Sequence, residues 1–190
     1  MPSTPRLGRR LLLAALLPLA GCGGRGRDLP PLPPLPSQAY KLGPGDQIRM
    51  ITFGEDALSE IFRVSDTGSL ALPLLGAVPA EGQTTDELAA RIAGLLKTRN
   101  LLRNPSVSIE VTEYRALFVL GEVSRPGQVT YQPGMSVLSA IAVAGGFTYR
   151  AVEDFVGITR VIDGKPFQGR AAPTTLLAPG DIVTIFERYF

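Results

Sequence analysis

Histidine and tryptophan are absent from this 190-residue chain, and there is a single cysteine, Cys22. Without histidine there is no Ser–His or Cys–His nucleophile pair and no His-ligated zinc site. A lone cysteine excludes an intrachain disulfide. The formal charge of +2 carries no nucleic-acid signal. What the chain has in quantity is Gly (21), Pro (17) and a hydrophobic fraction of 45%. That is the composition of a folded chain with many turns and short elements, long enough for one or two small domains.

The amino terminus reads as a targeting segment. Arg6, Arg9 and Arg10 precede the apolar run LLLAALLPLA at 11–20. A charged region followed by a hydrophobic stretch of this length is the pattern of a secretory signal. It is shorter than the about 20 residues a spanning helix needs. Leu19-Ala20-Gly21-Cys22 follows, and it resembles the bacterial lipoprotein box, in which the cysteine is lipidated and becomes the first residue. The plain alternative is an ordinary signal with a chance cysteine, but the only cysteine stands where the box requires it. By analogy with such lipoproteins, Gly23 rather than Asp after the cysteine favours the outer membrane. Removing residues 1–21 leaves 16 basic and 17 acidic side chains, so the net charge belongs to the signal. Residues 22–37 then read as the lipidated cysteine and a linker. Five prolines between Pro30 and Pro36 predict an extended, semi-rigid stalk with no core of its own.

One device occurs twice in the rest of the chain. KLGPGDQIRM (41–50) and LLAPGDIVTI (176–185) share Leu, Pro-Gly-Asp and an apolar alternating run. Pro44 presets φ, Gly45 supplies a positive φ and Asp46 bonds nearby backbone, as a type II turn requires; Pro179, Gly180 and Asp181 repeat the pattern. Each turn launches a strand. Between them, IFRVSDTGSLALPLLGAV (61–78) predicts a hairpin about SDTGS, and Thr84 with Glu87 has capping-box spacing. Leu88, Ile92, Leu95 and Leu96 form one helical face that should pack on a sheet. Val107, Ile109 and Val111 alternate as a half-buried strand. ALFVLGEV (116–123) is apolar on both faces and reads as a central strand. SRPG (124–127) turns into QVTY. A second helix starts near Ser136, carries Val137, Leu138, Ile141 and Ala144, and stops at Gly145-Gly146. Asp163-Gly164 marks a further turn. The order predicts an α+β chain of two small mixed sheet-and-helix domains, divided at about residue 114, the second β-grasp-like.

The order and spacing of these motifs are familiar. The lipobox, YKLGPGDQIRMITFGE, FRVSDTGSLALPLLGAVPAEGQT, NPSVSIEV, FVLGEVSRPGQV, MSVLSAIAVAGGFT and LLAPGDIVTI together resemble the bacterial outer-membrane polysaccharide export family, the Wza-like proteins, over about residues 38–186. The resemblance implies a polysaccharide export domain at 38–114 and a soluble-ligand-binding β-grasp (SLBB) domain at 115–190, after a signal peptide at 1–21. It implies a lipoprotein anchored in the outer membrane on its periplasmic face, which forms homo-oligomeric rings. Its partners would be the exported capsular or exopolysaccharide and an inner-membrane co-polymerase. Large members carry several SLBB domains and a membrane-crossing helix; this chain shows one such unit. The closing IVTIFERYF (182–190) is expected to complete the second domain rather than span lipid, with a separate outer-membrane β-barrel supplying the pore. The alternative reading is a periplasmic polysaccharide-binding adaptor that forms no pore.

An enzyme reading needs two carboxylates across a sugar cleft. Asp46, Glu55, Asp56, Asp66, Glu122, Glu153 and Asp154 are available, but turns and solvated loops account for them, and no catalytic residue is assigned. No EF-hand spacing is present, and AGGF (144–147) lacks the following GK of a phosphate loop, so no metal or cofactor is expected. Tyr114, Arg115, Tyr131, Phe147, Tyr149 and Arg150 are candidate sugar contacts. Core or subunit-interface packing is the alternative for each.

Overall fold

The computed structural model describes residues 26–35, 39–162 and 164–188. The lipobox and Cys22 therefore lie outside the described residues, as does Asp163. β1 (Gln47–Thr52) places Ile48, Met50 and Thr52 inward and Arg49 and Ile51 outward, the period-two pattern of a half-buried strand. A short 3-10 turn (Asp56–Leu58) leads to β2 (Ile61–Arg63), then β3 (Ser69–Leu72) and β4 (Gly76–Pro79). Helix α1 (Thr85–Thr98) starts with both capping-box bonds, Thr84 Oγ1 accepting from Glu87 N–H and Glu87 accepting from Thr84 N–H. It ends with Asn100 at φ 56°, where the amides of Asn100 and Leu101 bond back to Lys97 and Leu96. Leu88, Ile92 and Leu96 are fully buried along one face, against β5 (Val107–Glu113) and the first core.

β2, β1 and β5 form an antiparallel sheet with β1 in the middle, and β3 and β4 pair separately. This corrects the expected hairpin about SDTGS. A tight turn does form there, with Gly68 N–H bonded to Ser65 O, but its flanking strands belong to different sheets. β2 is held on β1 by a ladder that continues beyond it, through Val64 N–H to Asp46 O and Gly45 N–H to Val64 O. The hairpin sits at Pro73-Leu74-Leu75, with Leu74 at φ 64°. Alternation states which residues face inward; it does not state which strand they meet.

The second core is built from β6 (Leu117–Gly121), β7 (Gly127–Val129), α2 (Val137–Val143), β8 (Val156–Ile162), β9 (Lys165–Ala171) and β10 (Ile182–Ile185). The strand order is β7-β6-β10-β8-β9; β10 runs parallel to β6 and the other pairs are antiparallel. A parallel central pair between two outer hairpins, covered by one helix, is a β-grasp arrangement. Leu117, Val119, Val137, Ala140, Val156, Ile158 and Val183 are fully buried in it. Two expectations need correction. β6 lies inside the sheet between β7 and β10, as expected, but its two apolar faces are not both covered: Phe118 and Leu120 are each 43% exposed on the open face. In α2, Leu138 points outward while Ala140 faces the core, because the buried set Val137, Ala140, Ile141 and Ala144 already fills a helical face. The helix ends at Gly145 and Gly146 (φ 87° and 86°), whose amides bond to Ala142 and Ile141.

The proline-rich segment, expected as an extended, semi-rigid stalk, is extended but docks on the second sheet at Pro30 to Leu32. Pro31 bridges Arg170 in parallel register along the outer edge of β9. Leu32 N–H donates to Arg170 O at 2.9 Å, Arg170 N–H donates to Pro30 O at 2.7 Å, and Leu32 packs on the second core. An extended proline-rich backbone matches a sheet edge, and the prolines stand where no donor is required. Composition reports that extension and is silent about what lies alongside. Among the described residues, no helix is long and apolar enough to cross a membrane.

Candidate functional site

The two Pro-Gly-Asp turns meet at the junction of the two cores. Each is a type II turn: Gly45 has φ 94° and Gly180 has φ 85°, and the amides of Asp46 and Asp181 donate back to Gly43 O and Ala178 O, both at 3.2 Å. Each aspartate then returns a side-chain bond to the start of its turn. Asp46 Oδ2 accepts from Gly43 N–H at 2.8 Å, and Asp181 Oδ2 from Ala178 N–H at 2.8 Å. A carboxylate one carbon from the backbone reaches this amide without leaving the turn, which is why the short acid serves here.

Both carboxylates are fully buried, so each needs compensation for lost hydration. Asp181 receives it from Arg160 on β8, which donates Nε to Oδ1 at 2.9 Å and Nη2 to Oδ2 at 2.6 Å. Arg160 is itself buried and also donates to Leu176 O. Asp46 is served differently. Its Oδ1 accepts the backbone N–H of Arg115 at 2.7 Å, and its Oδ2 accepts Tyr40 O–H at 2.6 Å and lies 3.4 Å from Arg115 Nη1. Burial, and then the bond to Asp46, pushes the Tyr40 hydroxyl well above the usual phenol range. Burial raises Tyr131 too.

Arg115 touches both turns. Nε donates to Pro179 O at 3.1 Å and Nη1 to Tyr40 Oη at 3.1 Å. Glycines make room for it. A Cβ at Gly180 would stand 3.0 Å from Nε, and one at Gly43 would collide with Nη1. Beside it runs an edge-to-face aromatic series, Tyr40–Tyr114 at 5.0 Å and Tyr114–Tyr131 at 5.4 Å between centroids, so that one ring from each core flanks the connecting residue.

The structure thus brings together Pro44, Gly45, Asp46, Tyr114, Arg115, Tyr131, Pro179, Gly180 and Asp181. It does not bring Tyr149 or Arg150 to them: Tyr149 is 85% exposed, and Arg150 pairs with Glu187. Phe147 is half-buried against the second core. Sequence reasoning missed Tyr40, Gly43 and Arg160. Arg160 left a signal, as a lone charge at a core-facing position of VGITRVI. Of the other acids weighed, Glu122 accepts from Thr148 Oγ1 at 2.5 Å and Glu153 pairs with Arg188 at 3.7 Å. No group of three or more Cys, Asp or Glu that could hold a metal occurs among the described residues. The arrangement is one of fixation: its polar atoms are spent on one another.

Comparison with known proteins gives this junction its setting. The family model described as polysaccharide biosynthesis/export protein matches residues 34–112, and that of the SLBB domain matches residues 117–170. The chain thus carries one polysaccharide biosynthesis/export domain followed by one SLBB domain. The two matches leave 113–116 between them, so Arg115 lies where the export domain hands over to the SLBB domain. Over 91 residues the chain is 41% identical to the exopolysaccharide production protein ExoF of Rhizobium meliloti (strain 1021), covering 47% of the chain and 22% of that relative. It is 28% identical over 167 residues to the EPS I polysaccharide export outer membrane protein EpsA of Ralstonia nicotianae, covering 80% of the chain and 42% of the relative. The EpsA of Ralstonia solanacearum is 27% identical over 166 residues, with the same coverage. The chain thus spans less than half the length of these curated relatives. The family is one of export proteins rather than an enzyme family.

Proposed function

We propose that this protein is a lipid-anchored, ring-forming subunit on the periplasmic face of the outer membrane, guiding an exopolysaccharide or capsular polysaccharide outward. The observation that carries the reading is the pairing of an export domain with an SLBB domain, in a chain similar over 80% of its length to proteins named for polysaccharide export at the outer membrane. Its partners in this reading are an inner-membrane co-polymerase, the polymer itself and a separate outer-membrane β-barrel.

Two features support assembly. The outer face of the first sheet carries Ile51, Ile61 and, just beyond β1, Phe53, which is 86% exposed. The open face of the second sheet carries Phe118 and Leu120. Patches on two different surfaces of one subunit suit the head-to-tail contacts from which closed rings are made. The docked segment bears on the anchor. Three residues lie between Cys22 and Gly26, so the four steps of chain reach at most about 14 Å. A lipid on Cys22 would therefore hold the second domain, whose β9 edge carries residues 30–32, close to the membrane.

The test is the mass of the detergent-extracted protein, measured beside a Cys22→Ser variant. A closed multi-subunit mass, with the variant released from the membrane fraction, is expected. One acyl chain holds a protein only marginally and several hold it stably, so loss of the lipid should be decisive. A stable monomer that binds oligosaccharide would make the protein an adaptor instead, and a variant as membrane-bound as its parent would remove the anchor.

A further inference from the structure

We infer that Arg115 is a positioning residue that locks the two domains in one relative orientation, and that the repeated Pro-Gly-Asp turn is the fitting into which it locks. The covalent connection alone does not do this. β5 ends at Glu113 and β6 begins at Leu117, leaving three residues between two separate cores. Domains joined this way move relative to each other unless their contact restrains them.

The restraint is a continuous polar path. Arg160 on β8 holds Asp181, and Asp181 closes the turn that aims Pro179 O. Pro179 O accepts Arg115 Nε, Arg115 engages Asp46 through its backbone N–H and its guanidinium, and Asp46 closes the first turn. Each domain thus contributes one turn, and the side chain between them reads both. The two turns contribute different groups: the first offers its aspartate side chain and the second a backbone carbonyl. A guanidinium suits this because its donors are held in a rigid plane and point to separate acceptors; a lysine ammonium presents one point. Gly43, Gly45 and Gly180 line the side chain, so the slot accepts it in one pose. The tyrosine series adds a second contact across the same junction.

The inference concerns distances within one chain and stands whether or not the subunits form a ring. If they do, a fixed angle lets every copy present its two apolar patches in the same geometry, and that consequence rests on the proposed function. The test uses the full chain with Cys22→Ser, spin labels at Lys97→Cys and Lys165→Cys, and dilution with unlabelled protein so that only intrachain distances are read by pulsed electron resonance. The parent is expected to give one narrow distance distribution. Arg115→Ala and Arg115→Lys should each broaden it by about twofold or more, as released domains sample several orientations. Circular dichroism decides whether a variant is folded. If Arg115→Ala does not fold, Arg115→Lys, which keeps a cation beside Asp46, decides alone. A distribution as narrow as the parent's in folded Arg115→Lys overturns the lock. The mass of the assembly, measured separately, reports on the ring and leaves this result unaffected.

Discussion

Asp46 and Asp181 close the same turn with the same bonds, yet they are neutralised from opposite directions. Asp181 draws its cation from within its own sheet: Arg160 on β8 is buried and grips both carboxylate oxygens. Asp46 draws its cation from across the junction: Arg115 is about a third exposed and bonds through its backbone as much as through its charge. The difference teaches that one local device can serve two ends. The second turn is wired for the stability of its own domain, and the first for communication with its neighbour.

The largest effect that can break the comparison is Asp181→Ala. It strands a buried guanidinium, and losing one partner of a buried pair costs about 3–5 kcal/mol. Urea titration should show the second core destabilised by that order. Asp46→Ala comes next. It orphans the amides of Gly43 and Arg115, but Arg115 can turn toward solvent, so the charge contribution is discounted and about 2–3 kcal/mol is expected from the unmet donors. An equal or larger loss than for Asp181→Ala would reverse the comparison.

Tyr40→Phe is the smallest change and the most selective, because it deletes only the hydroxyl that joins Asp46 to Arg115. About 1–2 kcal/mol should be lost at neutral pH, a hydrogen bond to a charged group. Its alkaline behaviour sharpens the point. The folded hydroxyl titrates above the unfolded one, whose pKa is about 10. The stability it contributes is therefore complete below pH about 10 and is lost as pH rises beyond that. Parent protein should weaken above pH 10 more steeply than Tyr40→Phe. Parallel alkaline curves would show that the hydroxyl is not held as described.

Some of this was legible in the residues. The capping box of Thr84 and Glu87, the glycine stop after α2, and the buried stripe Leu88, Ile92 and Leu96 are all relations within one or two helical turns. The hairpin about SDTGS was misread because β2 and β3 are adjacent in sequence and the ladder that claims β2 begins at Asp46. The docking of the proline-rich segment was not legible, because its partner, Arg170, is 139 residues away from Pro31. Tyr114, Arg115 and Tyr131 stand out in the sequence, as does Pro179, but no spacing rule connects Arg115 to Pro179 or Tyr114 to Tyr40.

By itself, the sequence determined the α+β composition of the chain, the two turns with their left-handed glycines, the ends of both helices and the succession of an export domain and an SLBB domain. These depend on short-range sterics, on backbone bonds closed within a few residues and on the order of motifs along the chain. Only the tertiary structure decided that the two turns face each other across one arginine, that Arg160 is the cation of Asp181, and that Pro30 and Pro31 lie along β9. Such pairings join residues 21 to 140 positions apart. They follow from which surfaces the two cores leave available once packed, and the local pattern of residues does not contain that information.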